Sequence, residues 1–299
     1  EMNKILSIII PTYNAAQFLD KGLSTFIMED KEMMDKLEVL IVNDGTKDNS
    51  VEVAQKFVDR YPNTFKIINK ENGGHGSAIN TGVENVTGKY FKCVDADDWV
   101  YTDALERTMK ILEKEDFDAL IQSFITYDIS KDLWEPRDIH CDNTDRIYNL
   151  KEIVDMWEQI DYGMSFHGVT YNAQFYKSLG YKLIEGVFYE DQEYATIPLS
   201  YAKRIRLLDD ELYVYRLGDV NQSVSTQSQL SRLPHFEAVL FKILEHEKNL
   251  DKLPEGGREL WTRKISMYLG SLYHILFIKN PDKKLSLIHI SEPTRPEPI

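Results

Sequence analysis

Three aspartates follow an apolar run in the stretch YFKCVDADDWV, residues 90–100. Carboxylates this close repel one another, so they need a proton or a cation. At the end of a strand, Asp95 and Asp97 point to the same side, because side chains alternate. Carboxylate oxygens suit Mg or Mn, ions that often also bind a substrate phosphate. The alternative is a solvated turn in which Asp98 caps the next helix.

A second alternative is a phosphatase whose nucleophile is the first aspartate of an Asp-x-Asp motif. That class places the motif after its first strand and has a threonine shortly after it. Here the motif follows the fourth predicted strand and Trp99 comes next, which disfavours a phosphatase.

Polar turns also end the three preceding predicted strands: PTYN (11–14), NDGTKDNS (43–50) and NGGHGSAIN (72–80). A carboxylate such as Asp44 at a strand end can accept hydrogen bonds from a ribose or a nucleobase, although Asn-Asp-Gly is also a strong turn signal. Glycines allow backbone to approach a phosphate. The third segment nevertheless matches neither the Walker pattern nor the dinucleotide fingerprint.

The elements that would position these turns alternate along the chain. ILSIII, LEVLIV, FKIIN and KYFKCV are typical of buried strands, and helical patterns separate them. They predict an α/β fold with a Rossmann-like, mostly parallel sheet and helices on both faces, whose strand ends form a ligand crevice. Beyond them, ALIQSFITYDI predicts a strand, IRLLDDELYVYRLG predicts a hairpin, and residues from 229 onward predict C-terminal helices.

Composition narrows the class of protein. A chain of 299 residues with 42% hydrophobic content can bury a large core, and a net charge of −14 argues against a nucleic-acid partner. Two cysteines, Cys93 and Cys141, fit a reducing compartment. No signal peptide or bilayer-spanning run is visible, and residues 265–278 leave docking at a membrane surface open.

The last fifteen residues, 285–299, are unlike the rest of the chain. Residues 285–295 resemble the translation of a transposon mosaic-end adapter used in sequencing libraries. We therefore exclude residues 285–299 from fold and function, and we expect the natural chain to continue differently beyond Lys284.

Four short motifs follow the first four predicted strands in order: Pro11-Thr12-Tyr13-Asn14, Asn43-Asp44-Gly45-Thr46, Asn72-Gly73-Gly74-His75-Gly76 and Asp95-Ala96-Asp97-Asp98. Together they resemble the family 2 glycosyltransferases, which are inverting enzymes with the GT-A fold. FYED (188–191) resembles the family's Glu-Asp site, and YRLGDVNQSVS (215–225) resembles a loop of a bacterial subgroup. The Gln-x-x-Arg-Trp motif of processive polymer synthases is absent, which favours the non-processive type.

The resemblance implies a donor site made by the first three motifs and a later arginine. The turn at Pro11, Thr12 and Tyr13, together with Asp44, would hold the uracil and ribose of a UDP-sugar. Gly74 would let backbone approach the diphosphate, and Arg216 would contact it in a bidentate way.

The resemblance also implies the catalytic groups. Asp95 would bind the ribose or support the metal site, and Asp97 would bind the Mg or Mn that bridges the diphosphate. Asp191 would take the proton from the acceptor hydroxyl as that oxygen attacks the anomeric carbon.

One departure from the family pattern raises an alternative. Ile79 stands where many members have an arginine, which removes a cation near the nucleotide, and Lys70, His75 and Arg216 are candidates to replace it. The alternative is a catalytically inactive nucleotide-sugar-binding protein, against which the intact Asp191 argues. A nucleotidyltransferase would instead need a Gly-x-Gly-Thr-Arg type loop after the first strand, where PTYNAAQF stands.

We therefore expect a GT-A domain over residues 1–218, with a nucleotide half (1–100) and an acceptor half (101–218), then a helical region (219–284). The expected function is metal-dependent, inverting transfer of a sugar from a UDP-linked donor to a glycan or lipid-linked saccharide in bacterial polysaccharide biosynthesis. We expect a cytoplasmic protein, with peripheral association at the inner face of the cell membrane left open, as is the oligomeric state.

Overall fold

The computed structural model describes residues 3–219 and 225–280. Its strands are β1 (Leu6–Thr12), β2 (Leu37–Asp44), β3 (Phe65–Lys70), β4 (Tyr90–Cys93), β5 (Trp99–Val100), β6 (Ala119–Asp128), β7 (Leu133–Arg137), β8 (Ile147–Tyr148), β9 (Val169–Asn172) and β10 (Ile205–Leu217). The excluded tail and residues 220–224 of the late loop lie outside the described residues.

All ten described strands join one sheet in the order β3-β2-β1-β4-β9-β6-β10-β5, with β7 paired to β6 and β8 to β10. The first four strands are parallel, as the alternating pattern predicted. Strand β9 lies antiparallel to both of its neighbours, β4 and β6, while β6 and β10 are parallel. The sheet is therefore mixed but mostly parallel, and the carboxyl ends of β1, β2, β3 and β4 lie along one edge.

The α-helices are α1 (Ala16–Ser24), α2 (Lys31–Lys36), α3 (Ser50–Arg60), α4 (His75–Asn85), α5 (Thr102–Lys114), α6 (Leu150–Asp155), α7 (Trp157–Ile160), α8 (Ala173–Ser178), α9 (Asp191–Ser200), α10 (Thr226–Ser231), α11 (Leu233–Leu244) and α12 (Gly257–Tyr273). Short 3₁₀ segments at Asp161–Gly163 and Glu245–Lys252 and a π-helical turn at His274–Lys279 complete the described chain. None of the described helices is long and apolar enough to cross a bilayer.

Helices cover both faces of the sheet, as expected, because each strand sends alternate side chains to opposite sides. Ile9 of β1 packs in one core with Ile79 and Val83 of α4. Ile8 packs in the other core with Leu19 of α1. A third apolar cluster joins α9 to the C-terminal helices α11 and α12.

The predicted hairpin over residues 205–218 was wrong. Strand β10 runs through this segment without reversing, and its pairing with β6 is interrupted between Leu208 and Tyr213. The polar residues taken for a turn lie in this interruption, where Asp210 accepts two hydrogen bonds from Arg107, each 2.7 Å long. An irregularity in a long strand exposes polar side chains in the same way as a turn does.

A buried carboxylate ties the amino ends of β1, β2 and β4 together. Glu38 is fully buried, and its oxygens accept hydrogen bonds from Ser7 Oγ (2.6 Å), Thr87 N (3.0 Å) and Lys66 Nζ (2.9 Å). Ser7 Oγ in turn accepts from Gly88 N at 2.9 Å. These bonds lower the pKa of Glu38 against the opposing effect of burial, which is the largest single influence.

Glu38→Ala should therefore lower the free energy of unfolding by about 3 kcal/mol, because it leaves buried donors without an acceptor. Glu29→Ala is the matched control, since Glu29 lies exposed in a bend and should change stability by less than about 0.5 kcal/mol. Urea denaturation of both variants measures the difference. Equal midpoints for the two variants would contradict the role given to Glu38.

Candidate active site

The aspartates form a turn instead of continuing strand β4. The strand ends at Cys93, and Asp98 N donates to Asp95 O at 3.1 Å, which closes the turn. The argument that strand alternation points Asp95 and Asp97 to the same side was therefore wrong in its premise. Asp98 does not cap a helix, since α5 begins only at Thr102. We call residues 95–98 the aspartate turn.

Each carboxylate of the aspartate turn has a different neighbour. Asp95 Oδ1 lies 2.8 Å from His75 Nε2, and Asp97 Oδ2 lies 3.6 Å from Arg216 NH1. Asp98 is buried and accepts from the Tyr213 hydroxyl at 2.5 Å and from Arg216 N at 2.7 Å. Helix α4 and strand β10 thus hold the turn from two sides.

The three carboxylates also differ in their proton affinity. Burial, then the nearby charges of Asp97 and Asp95, raises the pKa of Asp98 well above its usual range. Burial also acts to raise the pKa of Asp95, but the charge and hydrogen bond of His75 outweigh it, so that this pKa is lowered. Asp95 is therefore held as an anion.

Asp191 stands at the first position of α9, after a loop formed by residues 184–190, which we call the base loop. Glu190, the last residue of the base loop, has its Oε1 hydrogen bonded to His75 Nδ1. Burial and then the charge of Glu190 raise the pKa of Asp191 to about 6. Because His75 also bonds Asp95, its contact with Glu190 links the aspartate turn to the residue that precedes the predicted base.

The glycine-rich segment packs directly against the base loop. A Cβ on Gly76 would lie 2.4 Å from Ile184 O and 2.9 Å from Glu190 Cγ. Gly74 has a φ of +88°, and a Cβ there would lie 3.2 Å from Gly186. Gly186 N donates to Gly73 O at 2.9 Å. Glycine is needed at these positions because backbone of the base loop occupies the space of a side chain.

Asp44 organises the same segment from the other side. Its carboxylate accepts from Lys70 Nζ (2.6 Å), Gly73 N (2.9 Å) and Gly74 N (2.8 Å), and it is buried. The Gly74 N–H is thus already used within the protein, and contact of Gly74 or Asp44 with a donor stays a prediction. An ionised carboxylate has about four acceptor sites, so Asp44 retains capacity for a further donor.

The turn after β1 is bonded to the turn after β2. Asn14 N donates to Thr46 Oγ1 at 2.7 Å, and Asn14 itself adopts a φ of +50°. Pro11 and Thr12 are buried, and the Thr12 hydroxyl donates to Ile10 O at 3.0 Å. Tyr13 is 46% exposed, so of the three residues predicted to hold the uracil and ribose it is the one whose side chain is open to a ligand.

Arg216 lies beside the aspartate turn, and its contact with the diphosphate stays a prediction. Its guanidinium lies 4.6 Å from the ring centre of Phe18 and 3.1 Å from Asp219 Oδ2. Ile79, the residue that replaces the family's arginine, is instead fully buried in the core formed with α4. The other candidate cations are engaged elsewhere, Lys70 with Asp44 and His75 with Asp95 and Glu190.

Asp95, Asp98 and His167 form a group that could hold a metal ion, with one ligand atom from each residue within 4.8 Å of the others. Burial lowers the pKa of His167 to about 4, so the imidazole is neutral and can offer a ring nitrogen. Its ring stacks on Tyr215 with centroids 4.0 Å apart. Asp97 is not a member of this group, and its assignment as the metal ligand stays a prediction.

Sequence reasoning did not find several residues that shape the site. Tyr213 bonds two parts of the aspartate turn, because its hydroxyl also accepts from Asp95 N at 3.1 Å. Lys92 is buried and donates to His167 O at 2.6 Å, which fixes the segment carrying His167. These contacts join residues about 75 and 118 positions apart in the chain, and no local pattern indicates them. A histidine within a run of glycines was the one available signal, and it pointed to His75.

The architecture of this protein is that of the GT-A fold class. Its fold matches S. aureus TarS residues 1–349 in complex with UDP-GlcNAc, with a TM-score of 0.65 and 17% identity over 95% of this chain and 79% of that one. It also matches the mannosyltransferase PcManGT from Pyrobaculum calidifontis in complex with GDP-Man and Mn²⁺, with a TM-score of 0.59 and 16% identity over 97% of this chain and 80% of that one.

Sequence comparison identifies the family. The Glycosyl transferase family 2 model matches residues 7–180, and the chain belongs to this family. It is 30% identical to the uncharacterized glycosyltransferase YibD of Escherichia coli (strain K12), over 74% of this chain and 63% of that protein. It is 26% identical to the uncharacterized glycosyltransferase EpsJ of Bacillus subtilis (strain 168), over 72% of this chain and 62% of that protein. The matches thus span less than two thirds of either relative.

Gly76→Ala tests the packing of the base loop. The added methyl would meet Ile184 O, so the base loop must move, and we expect a loss of about 1–3 kcal/mol in the free energy of unfolding. Gly270→Ala on α12 is the control, because nothing lies within 4 Å of its Cβ position, and it should be neutral or stabilising by up to about 1 kcal/mol. Urea denaturation measures both, and a neutral Gly76→Ala variant would refute the packing argument.

Proposed function

We propose that this protein transfers a sugar from a UDP-linked donor to a glycan or lipid-linked saccharide with inversion, in a reaction that depends on a divalent metal. One observation carries the proposal. Asp191 directly follows Glu190, and the side chain of His75 bonds Glu190 to Asp95 of the aspartate turn. A general base next to a group of acidic metal ligands is what single displacement by an alcohol requires.

The donor site lies at the carboxyl ends of β1 and β2. Tyr13, exposed at the first turn, would lie against the uracil, and Asp44 would accept from the base or ribose with its remaining capacity. Arg216 would bind the diphosphate, since a guanidinium pairs well with phosphate oxygens. The printed ligands of the fold neighbours, UDP-GlcNAc and GDP-Man, support a nucleotide-sugar donor.

The residues of the aspartate turn fit a divalent ion. Asp95 and Asp98 offer carboxylate oxygens and His167 offers a neutral imidazole, a donor set that suits Mn and accommodates Mg. Asp97 lies outside this group, and we assign it as a further carboxylate ligand. When bound, the ion would neutralise charge on the leaving diphosphate. The Mn²⁺ present with the archaeal mannosyltransferase supports this cofactor.

We assign Asp191 as the general base that accepts the proton of the acceptor hydroxyl. An alcohol is a weak nucleophile, and a carboxylate that accepts its proton during attack raises its reactivity. A pKa of about 6 makes Asp191 more basic than an ordinary aspartate while leaving it ionised at neutral pH. This tuned carboxylate favours an enzyme over the alternative of an inactive nucleotide-sugar-binding protein, which has no use for a base.

The acceptor would approach from the side of the base loop. Phe188 of that loop is 41% exposed and stacks against the guanidinium of Arg232, whose carbon lies 3.6 Å from the ring centre. We place the GT-A domain at residues 1–218 and the helical region at 219–284. A UDP-linked donor would be met in the cytoplasm, and exposed Met267, Leu269 and Tyr273 of α12 would allow peripheral contact with a membrane.

Asp97→Ala tests the metal assignment. Because a lost ligand weakens the ion that joins protein and diphosphate, we expect UDP affinity in Mn to fall at least about tenfold, or about 1.4 kcal/mol. The variant should also bind UDP equally in Mn and in EDTA, whereas the unmodified protein should not. Titration calorimetry measures both.

Asp103→Ala, an exposed aspartate on α5, is the matched control and should behave as the unmodified protein. His167→Ala tests the group formed by Asp95, Asp98 and His167 in the same assay. If Asp97→Ala keeps the Mn dependence and His167→Ala loses it, the ion is held without Asp97. If the unmodified protein binds UDP equally well in EDTA, the metal proposal fails.

The base assignment predicts the pH dependence of transfer. Below a pKa of about 6, Asp191 is protonated and cannot accept the acceptor's proton, so kcat at pH 5 should be about one tenth of its plateau. Asp191→Asn should lose at least about a hundredfold at every pH. Asp155→Asn on the exposed surface of α6 controls for the loss of a charge.

Release of UDP from a panel of UDP-sugars with mixed glycan acceptors measures these rates. Transfer that is constant between pH 5 and 7, or an Asp191→Asn variant within threefold of the unmodified protein, would rule out Asp191 as the base.

A further inference from the structure

The side chain of His75 contacts two acidic residues that belong to different motifs. Its Nε2 lies 2.8 Å from Asp95 Oδ1 in the aspartate turn, and its Nδ1 is hydrogen bonded to Glu190 Oε1 in the base loop. Both partners are carboxyl groups, so His75 uses both of its ring nitrogens in these two contacts. His75 is thus a bridge between two segments about 115 and 20 residues away from it in sequence.

The bridge bonds the residue that directly precedes the predicted base Asp191. Glu190 is 2% exposed and immediately precedes Asp191, so its position sets the start of α9. A buried carboxyl group without a hydrogen-bond partner is costly. The bond to His75 therefore holds the Glu190 side chain in this position. The His75 ring is further held by Phe166, with centroids 5.8 Å apart.

We infer that His75 is a positioning residue that holds the Asp191 carboxylate at a fixed place relative to the aspartate turn, by bonding Glu190 to Asp95. The inference rests on the proposed function, because it gives a role to Asp191 as the base. His75 itself touches neither the acceptor nor the donor in this assignment. It acts through Glu190 and Asp95 alone.

This role affects catalysis and donor binding differently. A base displaced by about 1 Å can lower the rate of a reaction about a hundredfold. The turns assigned to the nucleoside are bonded by Asp44, Asn14 and Thr46, whereas the side-chain bonds of His75 end on Asp95 and Glu190. The backbone of Asp95 is also held without His75, because Asp95 N donates to the Tyr213 hydroxyl and Asp95 O accepts from Asp98 N. Loss of the bridge should therefore lower kcat much more than it raises the donor KM.

The test uses His75→Ala, Glu190→Ala and the double variant. We expect kcat to fall about 30–100-fold in each single variant, with the donor KM within about threefold of the unmodified protein. The double variant should be no slower than the slower single variant, because both substitutions break one bridge. His246→Ala is the control, since His246 also bonds through a ring nitrogen, at 2.8 Å to Tyr201, but lies in the C-terminal helical region.

A second readout does not depend on turnover. Amide hydrogen exchange of residues 184–191 should be at least about tenfold faster in His75→Ala than in the unmodified protein and unchanged in His246→Ala. If His75→Ala does not fold, His75→Gln replaces it, because a glutamine keeps one donor and the side-chain volume.

The outcomes separate the two claims. If His75→Ala retains both kcat and slow exchange in residues 184–191, the positioning role is wrong. Equal losses in kcat and in donor affinity, or multiplying effects in the double variant, would also overturn it. If Asp191→Asn is fully active while His75→Ala still frees the base loop, the bridge stands as a structural contact and the proposed function fails instead.

Discussion

Repulsion between carboxylates is the constraint on which this site depends. Asp95, Asp97, Asp98, Glu190 and Asp191 meet at one edge of the sheet, in a chain whose net charge is already −14. The fold offsets the repulsion in three ways. His75 lies between two of these carboxylates, Arg216 lies near a third, and burial favours a proton on a fourth. Asp191 is ionised at neutral pH but more basic than an ordinary aspartate, and this property suits a base.

The same constraint explains the glycine-rich segment. A phosphate-binding loop needs glycine so that backbone can approach a ligand. Here the groups that approach are Ile184 O, Gly186 and the Glu190 side chain, which belong to the loop that ends at the predicted base. Glycine at 74 and 76 and histidine at 75 therefore serve one purpose, because the glycines admit the base loop and the histidine bonds it. The motif therefore connects Asp44 at the end of β2 to the loop that precedes the predicted base.

The sequence alone predicted those features of the fold that depend on short-range patterns of residues. The first four strands, their parallel order and the motifs at their ends follow from apolar periodicity and turn residues, both short-range signals. The hairpin at residues 205–218 failed because polar residues in a strand irregularity imitate a turn. The alternation argument for Asp95 and Asp97 failed because the strand stops at Cys93. The contacts of His75, Tyr213 and Lys92 could not be predicted, since each joins residues far apart in sequence.

The predicted base and the predicted donor turns are held by different parts of the fold. The donor turns lie on the ends of parallel strands within residues 7–180, the part of the chain that matches the family. Asp191 lies beyond that part, and α9, which begins with it, packs through Ile197 against Phe236 of α11 and Trp261 and Ile265 of α12. Substitutions in these C-terminal helices can therefore shift the base without touching a donor contact.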